Sequence, residues 1–183
     1  MRAGCPKLAP PNGAAQKPEV PKLILDFVRT VRLPVQPRFV ARDCFKEDGS
    51  DTARVKTWFL GDNFKDHFLG KVEEPVGETN LAVSRLTRNA LDRKIRSELG
   101  GSHEEVALSQ FWALLQAQGR GERGPLLTNG YAIIAYIRDE NGPHGLLWAV
   151  NASWYDGRGW GVDAYSVEDP GNWRAGHQVL SRN

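Results

Sequence analysis

The sequence predicts an α+β fold in which an antiparallel sheet has a C-terminal three-stranded meander packed against two helices. Three β-rich runs between residues 131 and 167 indicate the meander: YAIIAYIR, GLLWAVNASW and WGVDAYSV, with turn-rich segments between them. Apolar residues at helical spacing indicate the helices, over about 79–98 and 103–118. We expect residues 23–183 to form one α+β domain, for which the chain is long enough.

The composition is that of an ordinary globular protein, with 40% hydrophobic residues, 25% charged residues and a net charge of +2. Residues 1–22 differ, because they hold five of the eleven prolines and almost no large apolar side chains. We predict that they are a flexible tail, dispensable for folding. No apolar run approaches a bilayer span, so no membrane partner is expected. Cys5 and Cys44 fit free thiols in a reducing compartment, which predicts a cytoplasmic location.

Order is predicted to begin near Leu23, with short strands in the runs LILDFV, VRLPV and RFVARDCF. The run VKTWFL, residues 55–60, is the next predicted strand. Helical spacing of apolar residues over 63–69 predicts a short helical turn. Near the C-terminus, the run HQVLS predicts a last short strand.

The two predicted helices lie between these strands and the meander. The apolar set of the first helix, 79–98, is Leu81, Leu86, Ala90, Leu91, Ile95 and Leu99. The second helix, 103–118, is predicted to begin with a capping box made by Ser102 and Glu105, which contributes about 1 kcal/mol. Trp112 lies on its apolar stripe, so we expect this residue in the core.

The meander can be assigned a register because strand side chains alternate between two faces. The predicted core face of the middle strand consists of Leu146, Trp148, Val150, Ala152 and Trp154. We therefore expect Trp148 in the core as well. The first strand is apolar on both faces, which predicts that it is the most covered of the three.

The sequence contains no recognised catalytic or metal-binding motif. The four histidines, His67, His103, His144 and His177, do not occur at a metal-ligand spacing. A phosphate-binding loop, a dinucleotide fingerprint and a nucleophile elbow are also missing. We therefore predict no catalytic residue, no metal and no cofactor, and we expect a protein that is not an enzyme.

Part of the meander resembles the C-terminal strands of papain-like cysteine peptidases. The resemblance is carried by residues 129–136, 147–154 and 159–161. In that family a catalytic histidine opens the first strand, and an asparagine before a Ser-Trp pair orients it. Here Gly130 stands at the histidine position, and Asn151 falls near the asparagine. The resemblance implies a degenerate thiol-hydrolase scaffold, and Cys44, which has no histidine beside it in the sequence, is predicted not to be a nucleophile.

Basic residues of the 79–98 helix and the loop at 119–125 form a modest phosphate-attracting patch if the two segments converge. The candidate binding residues are Arg85, Arg88, Arg93, Arg96, Arg120 and Arg123, with Lys94 beside them. The alternative is a solvated helix face in which Asp92 and Glu98 balance the positive charges.

Three function classes follow from these patterns. The first is a non-enzymatic interaction or binding module, in a small soluble protein of bacterial type, whose partner is another protein. The second is the degenerate thiol-hydrolase scaffold implied by the resemblance. The third is a weak nucleic-acid binder that uses the arginines.

Overall fold

The computed structural model describes residues 23–140, 145–168 and 171–183. They form a mixed α+β fold with a large, mostly antiparallel sheet and four α-helices. The predicted tail, residues 1–22, lies outside the described residues. Within the described ranges, no helix is both long and apolar enough to cross a bilayer.

The elements follow one another in an irregular order of strands and helices. The strands are β1 (Leu25–Leu33), β2 (Phe39–Val40), β3 (Thr57–Leu60), β4 (Val72–Glu73), β5 (Thr79–Leu86), β6 (Ala90–Leu91), β7 (Ile133–Arg138), β8 (Leu147–Tyr155), β9 (Gly159–Ser166), β10 (Asn172–Trp173) and β11 (Gln178–Arg182). The α-helices are α1 (Ala41–Cys44), α2 (Asp62–Phe68), α3 (Asp92–Leu99) and α4 (Leu108–Ala117).

Seven strands form the main sheet, in the order β1-β5-β11-β7-β8-β9-β3. The β11–β7 and β3–β9 pairs are parallel, and the other neighbours are antiparallel. Strands β7, β8 and β9 are consecutive in this order, while the C-terminal β11 lies between β5 and β7. Two short ribbons, β2–β4 and β6–β10, stand outside the sheet.

The sheet is covered on both faces. Helices α1, α2 and α4 pack on the first face, where Phe64, Phe111 and Trp160 are fully buried. Helix α3 and the β6–β10 ribbon pack on the second face, around Ile95 and Tyr136. Because strand side chains alternate, β7 contributes alternate residues to the two cores, and five of its six residues are buried.

The predicted helix over 79–98 is wrong in its first half. Residues Thr79–Leu86 form the strand β5, and a helix begins only at Asp92. Strand β5 is covered on both faces, so Leu81 and Val83 enter the first core while Leu86 enters the second. A strand buried on both sides has apolar residues on both faces, so their spacing need not alternate. Here that spacing matched the periodicity of an α-helix.

The second predicted helix exists, but it begins later than its pattern indicated. Helix α4 starts at Leu108, and Ser102 lies in a short 3₁₀ turn rather than at its cap. The backbone N–H groups of Leu108 and Ser109 instead donate to the two carboxylate oxygens of Glu73, each at 2.8 Å. The cap therefore comes from a residue distant in the sequence.

The N-terminal segment is also simpler than predicted. Parts of the runs LILDFV and VRLPV, with the two residues between them, form one nine-residue strand, β1, with an irregularity in its pairing between Phe27 and Arg29. In the run RFVARDCF, two residues form β2, and the next four form helix α1. Trp112 is buried, as predicted. Trp148, which was expected in the core, is only half-buried. It packs against the first core, and the centroid of its ring lies 4.0 Å from that of the His67 ring.

Candidate ligand-binding clefts

Two adjoining clefts flank the β6–β10 ribbon on the second face of the sheet. The larger has a volume of about 580 Å³, and we call it the aromatic cleft; it is lined by Asn89, Asn129, Gly130, Tyr131, Asn172, Trp173, Arg174, Ala175 and His177. The smaller has a volume of about 480 Å³, and we call it the basic cleft; it is lined by Ile24, Arg88, Asn89, Ala90, Leu91, Arg93, Lys94 and Asn172. Both have the size of small-molecule sites. They share Asn89 and Asn172, so the two clefts are neighbours, and we call the pair the composite groove.

His177 presents a fixed hydrogen-bonding group in the aromatic cleft. Its Nδ1 atom accepts a hydrogen bond of 2.8 Å from the backbone N–H of Ala132. Partial burial lowers the pKa of His177, and the positive charge of Arg174 acts in the same direction. The imidazole is therefore neutral at pH 7, with its proton on Nε2, where it is a hydrogen-bond donor.

Two asparagines add further donors to the lining. The side-chain oxygen of Asn89 accepts from the backbone N–H of Ala175 at 2.9 Å. The side-chain oxygen of Asn129 accepts from the backbone N–H of Tyr131 at 3.3 Å. In both cases the amide oxygen is engaged, so the NH₂ group remains as the donor.

A buried carboxylate holds Trp173, one of the residues that line the aromatic cleft. The Oδ1 atom of Asp92 accepts from the indole N–H of Trp173 and from the hydroxyl of Tyr136, both at 2.8 Å. Asp92 is fully buried, and burial raises the pKa of its carboxyl group. In the described part of the chain, its second oxygen has no hydrogen-bond partner. Because Asp92 opens helix α3, one side chain joins the ribbon, the helix and the sheet.

Tyr131 provides an accessible aromatic surface at the edge of the same cleft. Its side chain is 41% exposed, whereas Trp173 is 9% exposed. The Tyr131 ring is pressed against Gly176, where an added Cβ would lie 2.7 Å from the ring. The ring also makes an edge contact with His177, with centroids 5.5 Å apart. Tyr131 is therefore positioned from one side and open to solvent elsewhere.

The structure separates the predicted arginines. Arg88 and Arg93 line the basic cleft together with Lys94. The other four arginines have different surroundings. Arg85 lies 3.7 Å from Asp26, and Arg96 forms two 2.9 Å hydrogen bonds with Glu104. Arg120 donates to the carbonyl of Ala53, and Arg123 is exposed in the loop after α4. That loop follows a helix of the first face, while α3 packs on the second face.

Sequence reasoning missed the residues that complete the groove. Arg174, His177 and Tyr131 come from segments whose patterns carry no binding signal, and the groove forms where β10 pairs with β6, across about 80 residues of chain. The one sequence signal that pointed to this site is the composition of residues 171–177, which combines two glycines with a tryptophan and a histidine.

A second histidine is oriented by a carboxylate elsewhere in the molecule. The Nδ1 atom of His67 lies 2.7 Å from Oδ2 of Asp139, which is 2% exposed. Such a contact fixes the imidazole tautomer. The two residues are 72 positions apart, so no sequence spacing could reveal the pair.

A third cleft, of about 410 Å³, holds charges that are largely paired with one another. At its base the ammonium group of the buried Lys71 donates to the carbonyl of Arg138 at 2.9 Å and lies 3.5 Å from a carboxylate oxygen of Glu140. Arg138 is itself bonded to Glu105. Glu73, beside Lys71, caps α4, so this cluster has an evident structural role.

Cys44 lies at the end of α1 and packs against the first core. Burial, and secondarily the charge of Asp43, raise the pKa of its thiol. Gly130, at the position of the papain-like histidine, lines the aromatic cleft on the second face. Asn151 donates its amide to the backbone oxygen of Asp163. Cys44 and the residues around Gly130 therefore belong to different faces of the sheet.

Comparison with protein-family models, with curated proteins and with solved structures finds no match to this chain.

Proposed function

We propose that this chain is a non-enzymatic binding module that holds an anionic ligand in the composite groove. One observation carries the proposal. Arg93, Lys94 and Arg174 place three positive charges in the lining of the groove, and none of its described lining residues is acidic. The donors of Asn89 and His177 add neutral hydrogen bonds to the same lining. A groove with donors and positive charges attracts negative charge and disfavours cations.

The raised pKa of Cys44 and its place on the opposite face support binding rather than thiol chemistry. A reactive cysteine needs a lowered thiol pKa and a neighbouring base. Cys44 has a raised pKa, and it packs among apolar side chains of the first core. The degenerate thiol-hydrolase alternative is therefore the weaker one.

The predicted packing of the C-terminal meander against helices stays part of this proposal. It is supported by the core that Phe111 of α4 shares with Val150 of β8 and Val162 of β9. A sheet supported in this way from the first face gives the ribbon and α3 on the second face a rigid base.

The proposal is tested by titrating inorganic pyrophosphate into the protein and following backbone amide shifts by NMR. We expect saturable shifts at Asn89, Leu91 and Asn172, which weaken as salt is raised because the attraction is electrostatic. The double variant Arg93→Glu/Lys94→Glu should bind about tenfold more weakly, equivalent to about 1.4 kcal/mol.

The matched control is Arg42→Glu/Lys46→Glu. It replaces one arginine and one lysine with glutamate, so it has the same total charge as the groove variant. Both residues are exposed; Arg42 belongs to α1 on the first face, and Lys46 follows that helix. It should bind pyrophosphate nearly as well as the wild type. Equal losses in the two variants, or no saturable shifts around the ribbon, would reject the groove as the binding site.

A further inference from the structure

We propose that the anionic ligand of the composite groove is a nucleotide, with its base against Tyr131 in the aromatic cleft and its phosphate in the basic cleft. This inference rests on the proposed function and gives it a ligand class. It requires a flat aromatic group, a base-edge partner and a neighbouring phosphate site. The aromatic cleft supplies the first two, and the basic cleft, which shares Asn89 and Asn172 with it, supplies the third.

The aromatic requirement is met by Tyr131. Its ring is held against Gly176 and by the edge of His177, yet 41% of the side chain is exposed. A ring fixed before the ligand arrives loses little conformational freedom on stacking. Base–aromatic stacking is also tolerant of sequence, since every base has a flat π face.

The hydrogen-bonding requirement is met by neutral groups in the same cleft. His177 carries its donor on Nε2, because Nδ1 is occupied by the N–H of Ala132. The amides of Asn89 and Asn129 retain their NH₂ groups as donors. Donors of this kind match the carbonyl and ring-nitrogen acceptors on the edges of nucleobases.

The phosphate requirement is met on the other side of the ribbon. Arg93 and Lys94 lie in the first turn of α3 and line the basic cleft, which shares Asn89 and Asn172 with the aromatic cleft. A guanidinium group and an ammonium group both bind phosphate oxygens well. An inorganic anion would use these residues but would leave the aromatic cleft unused.

A free mononucleotide and the phosphorylated end of a nucleic-acid strand share this chemistry. The full chain is therefore titrated by calorimetry with a nucleoside 5′-monophosphate, with ribose 5-phosphate and with the unphosphorylated nucleoside. The monophosphate should bind about tenfold more tightly than ribose 5-phosphate, which is the lower range for one base stack. It should also bind about tenfold more tightly than the nucleoside, which lacks the phosphate that Arg93 and Lys94 would hold. A 5′-phosphorylated hexanucleotide distinguishes these two ligands. Tighter binding than the mononucleotide identifies the end of a strand, and equal binding identifies the free nucleotide. Both results uphold the inference.

Variants divide the two halves of the site. Tyr131→Ala should weaken the monophosphate about tenfold and leave ribose 5-phosphate unchanged, while Tyr131→Phe should keep the wild-type affinity. Arg93→Ala/Lys94→Ala should weaken both phosphate compounds. Tyr155→Ala is the matched control, since Tyr155 is similarly exposed, at 46%, and packs on Trp58 away from the groove.

Two outcomes overturn the inference in different ways. If ribose 5-phosphate binds as tightly as the nucleotide, or if Tyr131→Ala affects both equally, the nucleotide assignment fails while anion binding stands. If neither pyrophosphate nor any phosphate compound binds, the proposed function fails with it.

Discussion

His177 links the fold to the chemistry of the groove. Its Nδ1 atom accepts a hydrogen bond from the backbone N–H of Ala132, the residue just before β7, and this bond requires a neutral ring. Protonation of the ring would remove the acceptor and place a second positive charge beside Arg174. The residue is therefore a structural acceptor on one side and a donor to the cleft on the other.

We expect the stability of the protein to fall on acidification because of His177. Its pKa in the folded state lies below the ordinary value of 6.5, so the unfolded chain binds the proton more readily. The free energy of unfolding should therefore decrease as the pH drops through 6.5 toward the folded-state pKa. His177→Gln should show a shallower loss between pH 7.5 and 5.

Direct titration gives an independent check on the same histidine. The NMR titration midpoint of the His177 ring in the folded protein should lie below 6.5. A midpoint at or above that value, or an identical pH slope for wild type and variant, would contradict the assigned burial and tautomer.

Single residues were predictable from the sequence when their role is local. Trp112 was assigned to the core from its helical stripe, and it is buried. One alternative drawn from the sequence put Asp92 on a solvated helix face. In the structure Asp92 is fully buried and bonded to Trp173 and Tyr136, which lie 81 and 44 positions away. A carboxylate that is stabilised by two distant donors looks, in a sequence, like any surface acid.

Helix α4 shows at the scale of an element how a local signal can be displaced by a distant one. The sequence offered Ser102 and Glu105 as a capping box, a pattern that needs no tertiary contact. In the structure, Glu73 of β4 accepts from the first two helical N–H groups, and Gln110 accepts from the N–H of Ala107. The helix is therefore anchored to the ribbon that precedes it.

We expect Glu73→Ala to lower the free energy of unfolding by about 1–2 kcal/mol, because two N–H groups at the start of α4 lose a charged acceptor. Glu73→Gln should recover part of this loss, since one amide oxygen remains. Chemical denaturation followed by circular dichroism measures both.

Two neighbours serve as controls for the cap. Glu74→Ala removes an exposed acid next to Glu73, and Ser102→Ala removes the acceptor that the sequence indicated; each should stay within about 0.5 kcal/mol of the wild type. A larger loss of unfolding free energy for Ser102→Ala than for Glu73→Ala would show that the local capping box, and not Glu73, caps the helix.

Strand β5 marks the limit of periodicity as evidence. Its residues Leu81, Val83 and Leu86 lie in two different cores, so their spacing reflects two faces at once. Strands β7, β8 and β9 were easier to predict from the sequence, because turn residues separate them and the large apolar residues of β8 alternate with smaller ones. The neighbours of β5, namely β1 and β11, could not be inferred, since strand order is set by packing over the whole chain.

The whole sheet depends on the C-terminal strand. Strand β11 is paired with β5 on one side and with β7 on the other, and its adjacent residues Val179 and Leu180 are fully buried in opposite cores. The sequence predicted a last short strand here, but its place inside the sheet follows from tertiary packing alone.

Deletion of residues 178–183 is expected to abolish the cooperative thermal unfolding transition, because the sheet loses an internal strand and both cores open. Far-UV circular dichroism during heating measures this. Arg182→Ala, at an exposed position of the same strand, should keep the melting temperature within a few degrees. A truncated chain that still melted cooperatively would show that the two halves of the sheet are stable without β11.

The central position of β11 also has a consequence for biosynthesis. Strands β5 and β7 are synthesised before residues 178–182, and until β11 joins them each has an unpaired edge where β11 will lie. The sheet cannot close progressively as the chain grows, because its completion needs β11 between β5 and β7. The nascent chain thus carries two open strand edges during translation, and a slowed ribosome lengthens the interval in which those edges are available to other chains.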